Sequence, residues 1–235
     1  LTDKPTSLGL PPVEIYRNDT TSTIVKSNLT HWQILKKYIL INPSIWFVSI
    51  AAAFIYFIRF VITDWGITFM VDNGIKCDVA GRLLVFTPLF GIFGGISAGW
   101  ISGKFFKNRY IPISLIYLFC SIFCIFGLYH STNQHMSYWI IVIFFALIGI
   151  FIDGPQTIAC GVLVTRITVQ ESIGTAIGIV GIFEYIGVFI SGIGAAWIIE
   201  KFNWAWLFTI CAILSLLAMF LIALIYKKEL LQIKS

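Results

Sequence analysis

The stretch YFIRFVITDW, Tyr56 to Trp65, decides how the chain is read. It continues a run without formal charge from Ser44 to Ile58, then places Arg59, and apolar residues resume before Asp64. The whole sequence is of this kind. Of 235 residues, 58% are hydrophobic and 11% charged, with a mean hydropathy of +0.91. Soluble domains carry about 25% charge, so the composition specifies an all-α integral membrane protein. A guanidinium in such a chain is a functional signal. It never loses its proton, and at the bilayer centre it costs about 2.5–3.5 kcal/mol on insertion scales.

A membrane-crossing helix needs about 20 apolar residues. Six such spans are predicted, at about 44–69, 83–103, 110–129, 138–164, 173–199 and 205–226. Tyr110 to Ile152 is uncharged throughout and too long for one crossing, and the polar patch HSTNQH, His130 to His135, divides it. The expected organisation is a cytoplasmic linker (1–29), an amphipathic surface helix (30–41), a six-helix bundle (42–228) and a cytoplasmic tail (229–235). The start, LTDKPTSLGLPP, is polar and lacks an initiator Met. No signal peptide is expected there, and a longer parent chain is.

Lys and Arg set the expected orientation. With both termini in the cytoplasm, twelve of them (Lys4, Arg17, Lys26, Lys36, Lys37, Lys104, Lys107, Arg109, Arg166, Lys227, Lys228, Lys234) fall inside and three (Lys76, Arg82, Lys201) outside. That is the positive-inside bias. It explains the net charge of +5 better than nucleic-acid binding does. Cys77, Cys120, Cys124, Cys160 and Cys211 form no CxxC pair and read as packing residues, without disulfide or metal. No nucleotide-binding loop or nucleophile–base pair is present, so neither a cofactor nor an enzyme is expected.

Packing signals are strong. Gly91, Gly95, Gly99 and Gly103 recur every four residues, and Gly174 and Gly178 do the same in the fifth span. Such stripes admit a neighbouring backbone, in a static contact or a moving one. Gly154–Pro155 is expected to kink or break the fourth span.

Three carboxylates share the apolar region with Arg59. Asp64 is five residues on, off the favoured helical spacing. Asp153 and Glu184 lie deep in other spans. For these two, pairing with Arg59, proton binding and contact with a solute hydroxyl all remain open. Arg59 itself suits a phosphate, which its planar fork can hold through two hydrogen bonds, and Tyr56 shares its helix face.

Four collinear stretches then carry a resemblance. They are SLGLPPVEIYRND (Ser7 to Asp19), YFIRFVITDW, DGPQTIACG (Asp153 to Gly161) and GTAIGIVGIFEYIG (Gly174 to Gly187). Together they resemble the C-terminal half of an organophosphate:phosphate antiporter of the major facilitator superfamily. That group includes hexose-phosphate and glycerol-3-phosphate transporters and a related hexose-phosphate sensor. DWG (Asp64 to Gly66) and GPQ (Gly154 to Gln156) lean toward the hexose-phosphate branch.

The resemblance implies a twelve-helix carrier of the bacterial inner membrane that exchanges a phosphate ester for inorganic phosphate by alternating access. Arg59 would be one of two phosphate-binding arginines, with Tyr56, Tyr185 and Gln156 beside it. The other arginine would lie in an N-terminal six-helix half. A non-transporting sensor and a truncated remnant are the alternatives. The sequence departs from the family pattern at Pro88, Gly103, Asp153 and Glu184, and the last two add carboxylates near the site.

Overall fold

The computed structural model describes residues 39–107, 109–134, 136–168 and 172–232. The expected linker (1–29), most of the expected surface helix (30–41) and the end of the expected tail lie outside them. Every element among the described residues is helical. Six helical stretches are long and apolar enough to cross a membrane, and they make this a multi-pass membrane protein.

Helix α1 (Pro43–Asp72) starts where Asn42 accepts a hydrogen bond from the Ser44 amide, with Pro43 at its first position. The Asn42 amide also donates to the Ile167 carbonyl at 3.0 Å, fastening the start of α1 to the end of the fourth span. Helix α1 ends where the Asn73 side chain donates to the Phe69 carbonyl and Gly74 turns the chain at φ 83°. The second span is two pieces, α2 (Cys77–Leu84) and α3 (Phe86–Phe105). Pro88 explains the interruption, because it cannot donate to the Leu84 carbonyl and its ring crowds it. Helix α4 (Tyr110–Asn133) is the third span.

The fourth span is disturbed after its proline but not broken at it. Helix α5 (Tyr138–Thr157) continues through Gly154–Pro155 without a break. The chain then widens into a π-helical segment (Ile158–Leu163) before the short α6 (Val164–Ile167). Pro155 has no N–H for the carbonyl one turn back, and a wide turn takes up the disturbed register. Helices α7 (Ile173–Lys201) and α8 (Trp204–Gln232) complete the bundle, the latter running on into the expected tail.

The helices pack as a row: α3 on α5, α5 on α4, α4 on α8, α8 on α1 and α1 on α7. Helix α1 also touches α5, so it is the interior helix, 61% buried over its most apolar window. The second and fifth spans are the margins, at 28% and 22%. Phe69 of α1 anchors one end, packed on Tyr129, Trp204 and Phe208 from α4 and α8. The Trp204 indole donates to Asp72 at 3.0 Å.

Small residues set the closest contacts, though not along the whole stripe that the spacing suggests. On α3 the buried face runs Thr87, Gly91, Gly94, Ala98 and Ser102. A Cβ at Gly94 would strike the Ile150 backbone, and one at Gly149 would strike the Thr87 carbonyl. Gly187 of α7 meets the Ala53 carbonyl of α1 in the same way. Gly91 and Gly95 face α5, whereas Gly99 borders open space and Gly103 is exposed. Gly174 and Gly178 also border open space. A period of four drifts around a helix of 3.6 residues per turn, so a single flat contact follows mixed spacings of three and four.

Gly149→Ala is expected to destabilise the bundle by about 1–3 kcal/mol, since backbone stands where the methyl must go. Gly99→Ala is expected to be silent. Thermal unfolding in nanodiscs separates the two.

Candidate functional site

Arg59 lies near the middle of α1, a helix of 30 residues, between the apolar Phe57, Ile58, Phe60 and Val61. Its partners come from α5. Arg59 Nε stands 3.2 Å from Asp153 Oδ1, and Nη1 donates to Gln156 Oε1 at 2.7 Å. Asp153 and Gln156 are three residues apart and share one helix face, as do Tyr56 and Arg59 opposite them. The Gln156 amide donates in turn to the Tyr56 hydroxyl at 2.8 Å. That hydroxyl also reaches the Glu184 carboxylate. The Cys160 thiol, in the π-helical segment, donates to Glu184 as well. A continuous polar chain therefore crosses three spans: Asp153, Arg59, Gln156, Tyr56, Glu184 and Cys160.

Packing confines both carboxylates of this chain. The Asp153 carboxylate lies directly against Gly91 of α3, in space that a Cβ would fill. Glu184 is 7% exposed, beside the interior helix. The end at Arg59 and Asp153 is the more open one. The Arg59 side chain is 30% exposed and that of Asp153 16%. Among the described residues Nη2 of Arg59 makes no hydrogen bond. The guanidinium is thus held by two groups and still presents an amino group outward. Phe60 stacks on Tyr56 with ring centres 6.1 Å apart and braces it.

The structure brings Arg59, Tyr56, Gln156 and Asp153 into one cluster and adds Glu184 through Tyr56. Asp64 stands apart: it is exposed and meets Thr63. Tyr185 also stands apart. It is 73% exposed on α7, in an open apolar groove of about 650 Å³ lined by Gly178, Gly181, Ile182, Ile186 and Phe189. Cys160 is the residue that sequence reasoning passed over as packing. The available signal was its place four residues after Gln156, which extends the spacing of Asp153 and Gln156 along one side of the span. No metal-binding group of three or more His, Cys, Asp or Glu occurs among the described residues.

The sequence profile of the Major Facilitator Superfamily matches residues 136–232. The "Membrane sensor protein UhpC" of Salmonella typhimurium is 32% identical over 217 residues, covering 91% of this chain and 48% of the relative. This chain belongs to the organophosphate:phosphate antiporter family of the major facilitator superfamily. A "Probable hexose phosphate transport protein" of Chlamydia trachomatis is 31% identical over 238 residues, 96% of this chain and 51% of the relative. A "Glycerol-3-phosphate transporter" of Bacillus subtilis is 33% identical over 208 residues, 86% and 46%. The chain spans about half the length of the curated relatives it matches. Its six helices correspond to a half of a facilitator fold.

Gln156 bridges Arg59 and Tyr56, so Gln156→Leu leaves a guanidinium N–H and a phenol without their partner. The expected loss is about 1–3 kcal/mol of bundle stability. Asp64→Asn, outside the network, is expected to change nothing. Unfolding of both variants in nanodiscs checks this.

Proposed function

We propose that this chain forms the C-terminal half of a secondary carrier that takes up a sugar phosphate, in the first place a hexose phosphate, in exchange for inorganic phosphate. The observation that carries the reading is Arg59. It is a permanent cation deep in an apolar helix, held by Asp153 and Gln156 yet with an amino group to spare. A phosphoryl group accepts hydrogen bonds on every oxygen, and a guanidinium is the donor whose charge survives burial. Tyr56 and Gln156 supply neutral polar groups for the remainder of the ester. A sugar-phosphate substrate is also what the relatives' names support. Glycerol 3-phosphate is the nearest alternative ester.

The proposed partner is an N-terminal six-helix half, in the same parent chain or a separate product. The two marginal spans offer apolar faces beyond what this chain covers. Alternating access would then rock one half against the other about the site. The proposed location is a bacterial inner membrane with both termini cytoplasmic, an orientation that rests on the Lys and Arg count. A second reading has one specific support: the sensor UhpC is among the relatives that match over most of this chain. A sensor of this build would bind the ester without exchanging it.

Uptake of labelled hexose phosphate into phosphate-loaded proteoliposomes holding the intact protein tests the carrier. Counterflow is expected, and Arg59→Ala should lower it by about thirtyfold or more, the effect of truncating a buried charged donor. Ester binding without counterflow would make the protein a sensor instead.

The orientation has its own test. Cys77 is exposed at the start of α2, on the face proposed as external. A membrane-impermeant maleimide should label it in intact cells. Labelling only after the inner membrane is opened would reverse the topology.

A further inference from the structure

The pair between Arg59 and Asp153 uses the cation that a phosphoryl group needs. With Nε at Asp153 and Nη1 on Gln156, the Nε–Nη2 edge of Arg59, one of the two edges by which a guanidinium holds two phosphoryl oxygens, is taken while the pair stands. The carboxylate has no room to swing toward α3, because it already lies against Gly91. It is confined between α3 and α1, facing the position that a phosphoryl group on Arg59 would take. A carboxylate there is acceptor-only and negative, and it repels a phosphoryl group. The protonated acid is neutral and has an O–H to donate.

We infer that Asp153 is the proton-binding group of this site, and that the protein takes up one proton with each phosphoryl group it binds. One proton from water bonds to an Asp153 oxygen and the ion pair with Arg59 breaks. The guanidinium and the new carboxyl O–H then both donate to phosphoryl oxygens. Release of the anion reverses these steps, returning the proton to water and Arg59 to Asp153. The inference rests on the phosphate-ester site proposed above and adds to it a linked proton.

The surroundings single out Asp153 among the carboxylates. Glu184 has the Cys160 thiol as a donor and forms no ion pair with Arg59 among the described residues, so its protonation would free no cation. The titratable or charged groups facing Asp153 are few. They are Arg59 on α1 and, one residue along, Tyr117 of α4, which packs against Gly154; Tyr56 joins through Gln156, and Cys160 and Glu184 bond to each other. Helix α3 presents Gly91, with no charge. Asp78 and Arg82 of α2 are paired with each other at 2.7 Å.

The test is calorimetric titration of the intact protein in nanodiscs with inorganic phosphate, at about pH 5 to 8, in buffers of different ionisation enthalpy. Free phosphate titrates in this range equally for every variant, so differences between proteins report the occupied site. Near pH 7.5 the unaltered protein is expected to take up about one proton more per phosphate than Asp153→Asn. The variant should bind about tenfold more tightly there, because a like charge beside the anion is gone. That advantage should shrink as pH falls. Asp153→Ser, read alongside, carries the same expectation with less bulk. Glu184→Gln should keep the proton uptake.

Equal proton counts and affinities in Asp153→Asn, Asp153→Ser and the unaltered protein would overturn the inference and leave the phosphate site standing. So would loss of the uptake in Glu184→Gln alone. Absence of phosphate binding at every pH in all four proteins would overturn the site and the inference together.

Discussion

A guanidinium that cannot be neutralised, set in the middle of an apolar helix, must be met by polar groups from its neighbours. Most of what distinguishes this bundle follows from that. On α1 itself the polar residues on the face of Arg59 are Tyr56 and Thr63, and neither bonds its guanidinium, so the partners must come from another span. They come from α5, as Asp153 and Gln156. For side chains that short to reach, α5 must lie close to α1, and its other side must accept an equally close α3. Gly149 and Gly154 on α5, with Gly91 and Gly94 on α3, remove the side chains that would hold the helices apart. The glycines and the charge are therefore parts of one arrangement. Close packing brings the carboxylate up to the cation, and Gly91 leaves the space in which it sits.

The π-helical segment after Pro155 belongs to the same arrangement. A proline inside a span disturbs the backbone hydrogen bonds around it, and in lipid no water is present to restore them. The wide turn at Ile158–Leu163 keeps the chain helical. It also carries Cys160 toward Glu184 of α7, so the polar chain that starts at Asp153 ends on a third helix. Strain from the proline and continuity of the site are met by one local change of backbone.

The six spans and the exceptional status of Arg59 were legible because both are one-dimensional signals. Hydropathy counts residues, and a charge in an apolar run stands out against its neighbours. The choice of partner was not legible. The helices are apolar nearly all round, so the sequence does not say which face of α5 or α7 turns toward α1, and Asp153 and Glu184 were equivalent on paper. Rotation about the α5 axis selects Asp153, turning it with Gln156 onto Arg59, while Asp64 remains exposed. The same blindness to rotation made the four-residue glycine stripe of α3 look like one contact face, when Gly94 rather than Gly99 meets a neighbour. Cys160 was hidden for another reason: thiols in apolar spans pack far more often than they bond, and only a wide turn makes this one face a carboxylate.

An ion pair in a membrane can be a fastening or a site, and geometry distinguishes the two. A fastening is sealed: both partners are buried, and every donor and acceptor is used, because an unused one costs stability without return. The pair at Arg59 is different. Its cation is 30% exposed and its acid 16%, and one amino group is unbonded among the described residues. The nearby Glu184 is the opposite, 7% exposed and supplied with donors. The polar chain thus runs from a closed end at Glu184 to an open end at Arg59. Binding energy for an anion is available only at the open end, where a pair already exists to be exchanged for a better one. A carrier needs a site of that kind, since a cation waiting bare in the membrane would be costly when empty, and one sealed by its own acid would never let a solute in.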